Sequence, residues 1–248
     1  MFVCLDSLPG VRMGFTGRGP GVGAPPYTGF NLGGHVGDDP EAVQANRAAL
    51  AAALEVPVGR LAFMDQVHGD AVVHVDDPWA GAEPGKPGPP GDALVTTRDD
   101  VALAVLVADC VPVLLAAPDE GVAGVAHAGR RGMAAGLVLR LVDAMRDLGA
   151  RTIVGRVGPS ICPRCYPVPL DLREEVAAQW PVTRSVGWHG EPSLDVAAGV
   201  LEQLAPHCAD VVQVAGCTVE RPDLYSYRRD GVTGRFAGVV RLLPDDAR

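Results

Sequence analysis

Four apolar segments follow one another in the middle of the chain, and they constrain the fold more than any other feature. They are Ala93–Thr97, Val101–Val107, Val111–Ala116 and Gly121–Ala126. Short apolar runs that are bounded by turn-forming residues, such as Arg98-Asp99-Asp100 here, are typical of buried β-strands. The chain has 248 residues, which is enough to bury a sizeable core without disulfide bonds.

Helical and strand patterns alternate along the rest of the sequence, which predicts an α/β fold with a mixed sheet. Because no sharp change in composition marks a boundary, residues 1–248 are interpreted as one domain. The proline- and glycine-rich residues 77–91 are predicted to be an exposed, flexible loop. The helices are predicted at 40–54, 133–148, 169–180 and 195–205. Further strands are predicted within 61–75 and at 153–157, 211–214 and 238–243.

The charge of the chain limits its partners. Its net charge is −9, so the nucleic-acid backbone and an anionic membrane are poor partners. We see neither a signal peptide nor an apolar run long enough to span a membrane, and we therefore expect a cytoplasmic protein with six free cysteines.

Three polar residues interrupt the apolar pattern and are candidates for a metal site. They are His68, Cys110 and His127. Two imidazoles and one thiolate are an ordinary ligand set for zinc that leaves a fourth position open. Asp109 is a candidate to orient one of the histidines. The alternative is a small buried cysteine with two hydrogen-bonded histidines.

Two arginine-containing segments are candidate anion sites. Arg130 and Arg131 stand where a strand leads into a helix, so backbone N–H groups and guanidinium groups would both face an anion there. Ser226 and Arg228 lie in LYSYRRDGVTGR, a segment that could stack on a ring and bind an anion. The alternatives are an exposed arginine pair and a simple hairpin that turns at Asp230-Gly231.

Cys162-Pro-Arg-Cys165 is a CxxC pair whose role the sequence leaves open. A structural zinc site would need a second pair, and the spacing of Cys208 and Cys217 is not that of a zinc knuckle. Pro167 and Pro169 speak against a thioredoxin-like motif.

Taken in order, a series of short motifs resembles the YfiH-type family, also called the laccase-domain or multicopper polyphenol oxidase family. The motifs are Asn31-Leu-Gly, His35-Val-Gly-Asp-Asp-Pro, Asn46-Arg47, Gln66-Val-His68-Gly, Asp92-Ala, Ala108-Asp-Cys110-Val-Pro, Ala126-His127-Ala-Gly-Arg-Arg-Gly, Gly158-Pro-Ser-Ile-Cys-Pro-Arg-Cys165-Tyr, Gly216-Cys217-Thr and Ser226-Tyr-Arg-Arg-Asp-Gly. They extend over nearly the whole chain.

The resemblance implies a single-domain layered α/β sandwich related to toxin-type cysteine hydrolases. It implies Zn²⁺, formerly assigned as copper, on His68, Cys110 and His127, and an active-site role for Arg47. We expect Cys110, His127, His68, Asp109 and Arg47 to be catalytic. We expect substrate and phosphate to contact Asn31, Arg47, Gln66, Arg130, Arg131, Ser226 and Arg228.

Three functions remain open at this point. The first, implied by the resemblance, is a purine nucleoside phosphorylase acting on adenosine, inosine and methylthioadenosine, with adenosine deaminase activity. The second is an amidase that edits UDP-muramoyl peptidoglycan precursors, with Cys110 as nucleophile and His127 as base. The third is a copper-dependent polyphenol oxidase or a non-catalytic metal-binding protein. We expect nucleoside and phosphate as ligands and a monomer or weak homo-oligomer.

Overall fold

A computed structural model gives the structure of residues 1–76, 86 and 88–244. Within these residues the strands are β1 Phe2–Leu8, β2 Val11–Thr16, β3 Leu61–Ala62, β4 Val72–His74, β5 Ala93–Thr96, β6 Ala102–Val107, β7 Val111–Ala117, β8 Val122–Ala128, β9 Val154–Val157, β10 Arg184–Val186, β11 Pro192–Leu194, β12 Asp210–Gln213 and β13 Phe236–Leu242. The helices are α1 Pro40–Ala53, α2 Arg130–Ala134, α3 Leu137–Asp147, α4 Leu170–Gln179, α5 Val196–Leu204 and α6 Tyr227–Asp230.

The strands form two large sheets and one small hairpin. The five-stranded sheet has the order β1-β2-β13-β6-β3, and the six-stranded sheet has the order β12-β9-β7-β8-β5-β4. The pairs β3–β6, β4–β5 and β9–β12 are parallel, whereas the other pairs in these sheets are antiparallel. The predicted α/β fold with mixed sheets is therefore confirmed.

The two sheets pack face to face, and helices cover the outer face of each. One core, with Phe15, Val105 and Leu114 among its members, lies between the sheets. A second core joins the six-stranded sheet to α3 and α5, and a third joins the five-stranded sheet to α1. The layers explain the apolar runs in the sequence, because alternate residues of the central strands face two different cores and both sets are buried.

Local chemistry explains where the principal helices begin and end. Asp39 caps α1 by accepting a hydrogen bond from the Glu41 N–H, and Pro40 occupies the first turn. The predicted helix 133–148 is instead two helices, α2 and α3. Gly136 separates them because it adopts a left-handed conformation, with φ of 79°.

The N-terminal hairpin β1–β2 was not predicted. Its strands turn at Pro9-Gly10, where Gly10 has φ of 76°, and Leu8 pairs with Val11. The region 61–75 contains two short strands, and 227–230 is a helical turn rather than a hairpin. Most of the predicted 77–91 loop lies outside the described residues. No helix in the described part of the chain has the length and apolar character needed to cross a membrane.

Strand register brings the polar segments to one end of the sandwich. Val107 at the end of β6 pairs with Phe236 at the start of β13. Val111 at the start of β7 pairs with Ala128 at the end of β8. The β6–β7 turn, the start of α2 and the segment before β13 therefore meet, and a candidate site forms where they do.

Candidate active site

His68, Cys110 and His127 converge at this end of the sandwich. The atoms that each could offer to a metal lie within 4.8 Å of one another. His127 is near the end of β8, Cys110 lies in the turn just before β7, and His68 lies in the loop between β3 and β4. His127 is buried, Cys110 is half-buried and His68 is exposed, so the cluster opens to solvent on the His68 side.

Asp92 fixes the orientation of both histidine-bearing segments. This fully buried carboxylate is 2.8 Å from His127 Nδ1, which leaves Nε2 to face the cluster. Asp92 also accepts hydrogen bonds from the backbone N–H groups of His68 at 3.0 Å and Gly69 at 2.6 Å. We had assigned the orienting role to Asp109, but Asp92 performs it because β5 pairs with β8 and places Asp92 beside His127.

Without a metal, the cluster contains a thiolate at Cys110 beside an imidazolium at His127. Burial raises the pKa of Cys110, but the charge of His127 and hydrogen bonds from His127 and His68 outweigh it and lower that pKa to about 6. Burial lowers the pKa of His127, but Cys110 and Asp92 outweigh it and raise that pKa to about 9.

Backbone conformations beside the ligands are unusual. His68 has φ of 59° and Asp109 has φ of 95°, a region that residues with a Cβ rarely adopt. Gly129 permits the close approach of the ligands, since a Cβ there would lie 3.2 Å from both Cys110 Sγ and His68 Cδ2. The positions of the three ligands therefore depend on local geometry that other residues would disturb.

A cavity of about 360 Å³ contains the cluster. It is lined by His35, Gln66, His68, Leu106, Val107, Ala108, Asp109, Cys110, His127, Ile161, Tyr166, Tyr227, Arg228 and Arg235. Two arginines and two tyrosine rings thus share one space with the three candidate ligands. Such a combination suits a ligand that carries both an anionic group and a flat ring.

Asp109 supports one wall of the cavity. Its carboxylate accepts hydrogen bonds from Thr218 Oγ1 at 2.5 Å and from the Arg228 N–H at 2.6 Å. The Arg228 guanidinium lies 5.1 Å from the centre of the Tyr166 ring. Asp109 therefore positions the arginine and the ring that the arginine contacts.

Several predicted binding residues lie behind the cavity wall. Arg47 is 4% exposed, donates to the Leu32 carbonyl and stacks over Phe63, and burial lowers its pKa to about 10. Asn31 is fully buried and accepts a hydrogen bond from the Arg235 N–H. Ser226 is also buried and caps α6. Asn31 and Ser226 thus support residues that line the cavity. Arg47 instead contacts Leu32 and Phe63, which do not line it.

The other predicted residues lie in or beside the cavity. Gln66 lines it, with its side-chain amide held by both the N–H and the carbonyl of Leu106. Arg130 borders a smaller adjoining pocket that shares Cys110 with the cavity. Arg131 is exposed on α2 and lines neither pocket.

The sequence reasoning did not assign roles to Asp92, His35, Tyr166, Tyr227 or Arg235. Asp92 and His35 lie in motifs that carried the family resemblance, and this was the available signal. Tyr166 lies in another of these motifs, and Tyr227 and Arg235 lie in LYSYRRDGVTGR, the segment from which ring stacking and anion binding were predicted.

The cluster suits a zinc ion. Its donors are two imidazole nitrogens and one sulfur, and Asp92 holds one imidazole in the tautomer that ligation requires. A blue-copper site adds a long axial methionine sulfur. No methionine is among the residues that line the cavity; Met133 packs instead against Gly199 on α5.

Comparison with known proteins agrees with the motifs. The family model described as "multi-copper polyphenol oxidoreductase laccase" matches residues 12–243. The chain belongs to this family. Solved structures of the family include YfiH from Bacillus licheniformis, with a TM-score of 0.84 and 29% identity over 94% of this chain and 92% of that one. YlmD from Geobacillus stearothermophilus has a TM-score of 0.83 and 33% identity over 95% and 93%.

Curated relatives in this family carry an enzyme name that differs from the name of the family. A protein of Streptomyces coelicolor named purine nucleoside phosphorylase is 52% identical over 96% of this chain and 98% of its own length. A protein of Mycobacterium tuberculosis strain H37Rv with the same name is 46% identical over 93% of this chain and 91% of its own length.

Proposed function

We propose that this chain is a purine nucleoside phosphorylase, which cleaves the bond between a purine and its ribose with inorganic phosphate. The observation that carries the proposal is the cavity, where a His₂Cys ligand set, two arginines and two tyrosine rings meet in about 360 Å³. The name of the curated relatives supports it. Adenosine, inosine and methylthioadenosine are the proposed substrates, and adenosine deamination is proposed as a second reaction at the same site.

Arg228 and Arg235 are the proposed phosphate-binding residues. Both line the cavity, and Asp109 and Asn31 hold their backbone N–H groups. Guanidinium groups bind phosphate oxygens in pairs. Because the net charge of the chain is −9, phosphate requires such a local concentration of positive charge. Arg229 does not supply it, since its guanidinium is hydrogen-bonded to carbonyls of 218–224 and to Asp230.

The rings of Tyr166 and Tyr227 are the proposed stacking partners of the purine. His35 borders the same cavity. Burial and the charges of Arg235 and Arg47 lower the pKa of His35, so at neutral pH it holds one ring proton and presents one free ring nitrogen. A neutral imidazole of this kind can hydrogen-bond to the edge of a purine.

His68, Cys110 and His127 are the residues that would hold the zinc ion, which when bound supplies Lewis-acid polarisation of an oxygen. Asp92 keeps His127 in place. In phosphorolysis a phosphate oxygen forms a bond to the anomeric carbon, and the bond from that carbon to the purine nitrogen breaks.

The test is the release of hypoxanthine from inosine, measured with and without phosphate. We expect release to require phosphate and to yield ribose 1-phosphate. In an Arg235→Ala variant the KM for phosphate should rise by about tenfold or more, since a charge-assisted hydrogen bond contributes about 1.5–3 kcal/mol. Arg184→Ala, which removes an exposed arginine at the start of β10 that does not line the cavity, is the matched control. Release that is independent of phosphate, or no release, would contradict the proposal.

The amidase hypothesis is a second candidate because of one observation. The pKa of Cys110 is lowered to about 6 beside His127, which is the arrangement of a cysteine nucleophile and its base. In this reaction the thiolate attacks an amide carbonyl, the amine leaves with a proton from His127, and water hydrolyses the thioester. UDP-muramoyl-serine is the test substrate. The amidase should act without metal and form a covalent adduct on Cys110, whereas the phosphorylase should do neither.

A further inference from the structure

A second group of metal-binding side chains lies outside the cavity. Cys162, Cys165, Cys217 and Glu220 each offer an atom, and these four atoms lie within 4.8 Å of one another. Cys162 and Cys165 flank a short 3₁₀ turn, Pro163–Cys165, closed by a 3.0 Å hydrogen bond from the Cys165 N–H to the Cys162 carbonyl. The turn directs both sulfurs to the same side, where Cys217 and Glu220 complete the group.

The two sulfur–oxygen distances match the corresponding edges of a zinc tetrahedron. With Zn–S near 2.3 Å and Zn–O near 2.0 Å, sulfur and oxygen ligands of one ion are about 3.5 Å apart, and two sulfurs are about 3.8 Å apart. Glu220 Oε1 lies 3.7 Å from Cys162 Sγ and 3.6 Å from Cys165 Sγ. Only small side-chain movements would therefore be needed to place an ion at the centre.

We propose that Cys162, Cys165, Cys217 and Glu220 bind a zinc ion that is structural and distinct from the ion of the cavity. Thiolate ligands favour a soft or borderline cation such as zinc, and four protein ligands leave no position open for a substrate. Binding releases the three thiol protons to solvent and involves no oxidation or reduction. The guanidinium of Arg229 lies near enough to Cys217 to interact with its charge and would offset part of the negative charge of the site.

The site lies between two segments that are joined by an isolated bridge beyond the ends of β9 and β12. Ser160 and Cys217 form an isolated parallel bridge, with hydrogen bonds from Ser160 N–H to the Gly216 carbonyl at 3.2 Å and from Thr218 N–H to the Ser160 carbonyl at 3.1 Å. A zinc ion would connect these segments far more strongly than the two hydrogen bonds do. Metal binding that occurs only in the folded state stabilises that state directly.

The joined segments extend to the cavity. Ile161 and Tyr166, on either side of the CxxC turn, line it. Thr218, next to Cys217, donates to Asp109, and Asp109 precedes Cys110 in the chain. The zinc ion would therefore hold the Tyr166 wall and the Asp109 carboxylate in register with the cavity ligands, without itself touching a substrate.

The zinc content of the protein tests the proposal directly. The full-length protein, purified with a reducing agent and zinc and then dialysed, is analysed for zinc per chain by mass spectrometry and for free thiols. We expect two zinc ions per chain in the wild type, and one in both Cys165→Ser and His68→Ala, because each variant removes a ligand from a different cluster. Cys208→Ser, a half-buried cysteine outside both clusters, is the matched control and should retain two.

Substitutions of Glu220 keep the test informative if Cys165→Ser fails to fold. Glu220 is exposed, so its substitution should leave the fold intact. We expect Glu220→Gln to weaken zinc binding by about tenfold or more, and Glu220→Cys to restore it through a fourth thiolate. Cobalt provides a spectroscopic test, because Co²⁺ in a tetrahedral, thiolate-rich site absorbs visible light. In the Cys110→Ala variant, whose cavity cluster has no thiolate, this absorption should still appear. It should disappear in the double variant Cys110→Ala, Cys165→Ser.

Three results would overturn the proposal. One is a wild-type protein that binds a single zinc ion, lost in His68→Ala and unaffected by Cys165→Ser. Another is a protein whose mass shows a disulfide among Cys162, Cys165 and Cys217 under the same reducing conditions. The last is a Glu220→Cys variant that binds zinc no better than Glu220→Gln.

Discussion

The two clusters of candidate metal ligands differ in composition and charge, and the difference separates a reactive site from a structural one. The cavity cluster has one sulfur between two imidazoles and an open side. The surface cluster, defined here as Cys162, Cys165, Cys217 and Glu220, has three sulfurs and a carboxylate. An incomplete, mixed ligand set is typical of catalytic zinc, whereas a complete, thiolate-rich set is typical of structural zinc.

The thiols of the two clusters also have opposite pKa shifts. The pKa of Cys110 is lowered to about 6 because His127 carries a positive charge beside it. Burial and hydrogen bonding with Cys162 raise the pKa of Cys165 to about 12. Without a metal, Cys110 of the first cluster is thus an activated thiolate, whereas the raised pKa values of Cys162 and Cys165 keep these two thiols protonated.

The largest expected effect is on turnover when the cavity cluster loses a ligand. His68→Ala should reduce phosphorolysis by roughly a thousandfold, because Lewis-acid stabilisation is worth several kcal/mol and each 1.4 kcal/mol is a factor of ten. Cys165→Ser, which removes a ligand from the surface cluster, should reduce kcat by less than about tenfold. Steady-state assays of both variants measure kcat, and an equal loss of kcat in the two variants would contradict the distinction between the clusters.

A large difference is also expected in thiol reactivity. In the metal-stripped protein at pH 7, iodoacetamide should modify Cys110 about a hundredfold faster than Cys165, since only Cys110 is mostly thiolate above pH 6. The rate at Cys110 should fall as the pH drops below about 6. Peptide mass spectrometry follows each site, with Cys208, whose pKa is raised to about 11, as an internal control. Similar rates at Cys110 and Cys208 would contradict the pKa difference.

A moderate effect is expected from the carboxylate behind the cavity cluster. Asp92→Asn should weaken zinc binding or activity by about 10- to 100-fold, because an amide cannot both hold His127 Nδ1–H and accept the backbone N–H groups as a carboxylate does. Asp70→Asn serves as the control, because Asp70 lies in the loop that carries His68 but pairs with Arg140. Zinc titration and turnover are the measurements, and equal effects of the two substitutions would argue against an orienting role for Asp92.

The smallest effect is expected at the contact that links the two regions. Thr218→Val removes the hydrogen bond to Asp109 and should lower the free energy of unfolding by about 1–3 kcal/mol. It should also raise the KM for phosphate severalfold, because Asp109 holds Arg228. As a control, Thr183→Val removes a part-buried hydrogen bond to the Trp180 carbonyl, and neither residue lines the cavity or belongs to a cluster. An unchanged KM for phosphate in Thr218→Val would show that the contact between Thr218 and Asp109 does not affect phosphate binding.

The sequence was sufficient to predict the central strands and to single out three polar residues that the structure brings together, for a physical reason. Buried strands exclude unpaired polar groups, so His68, Cys110 and His127 were conspicuous where they interrupted apolar segments. The same reasoning could not find Asp92, because an aspartate at the start of a strand is also a common turn residue. Pairing of β5 with β8 is what brings it to His127.

The surface cluster shows a different limit of sequence reasoning. The CxxC turn was visible, but its partner Cys217 lies 55 residues after Cys162. A second cysteine pair was the requirement that left the role of the CxxC turn open, and the structure places one cysteine and one glutamate beside the turn instead. The contacts depend on the bridge between Ser160 and Cys217, which has no local signature in the sequence.

The measurement that tests the central claim most directly is a zinc titration of activity. In the Cys165→Ser variant only the cavity cluster should bind tightly, so the metal-stripped variant can be titrated with zinc while phosphate-dependent release of hypoxanthine from inosine is recorded. We expect activity to rise in proportion to bound zinc and to reach a plateau at one ion per chain. Full activity before any zinc is added, or activity that does not follow bound zinc, would contradict a metal-dependent phosphorylase centred on His68, Cys110 and His127.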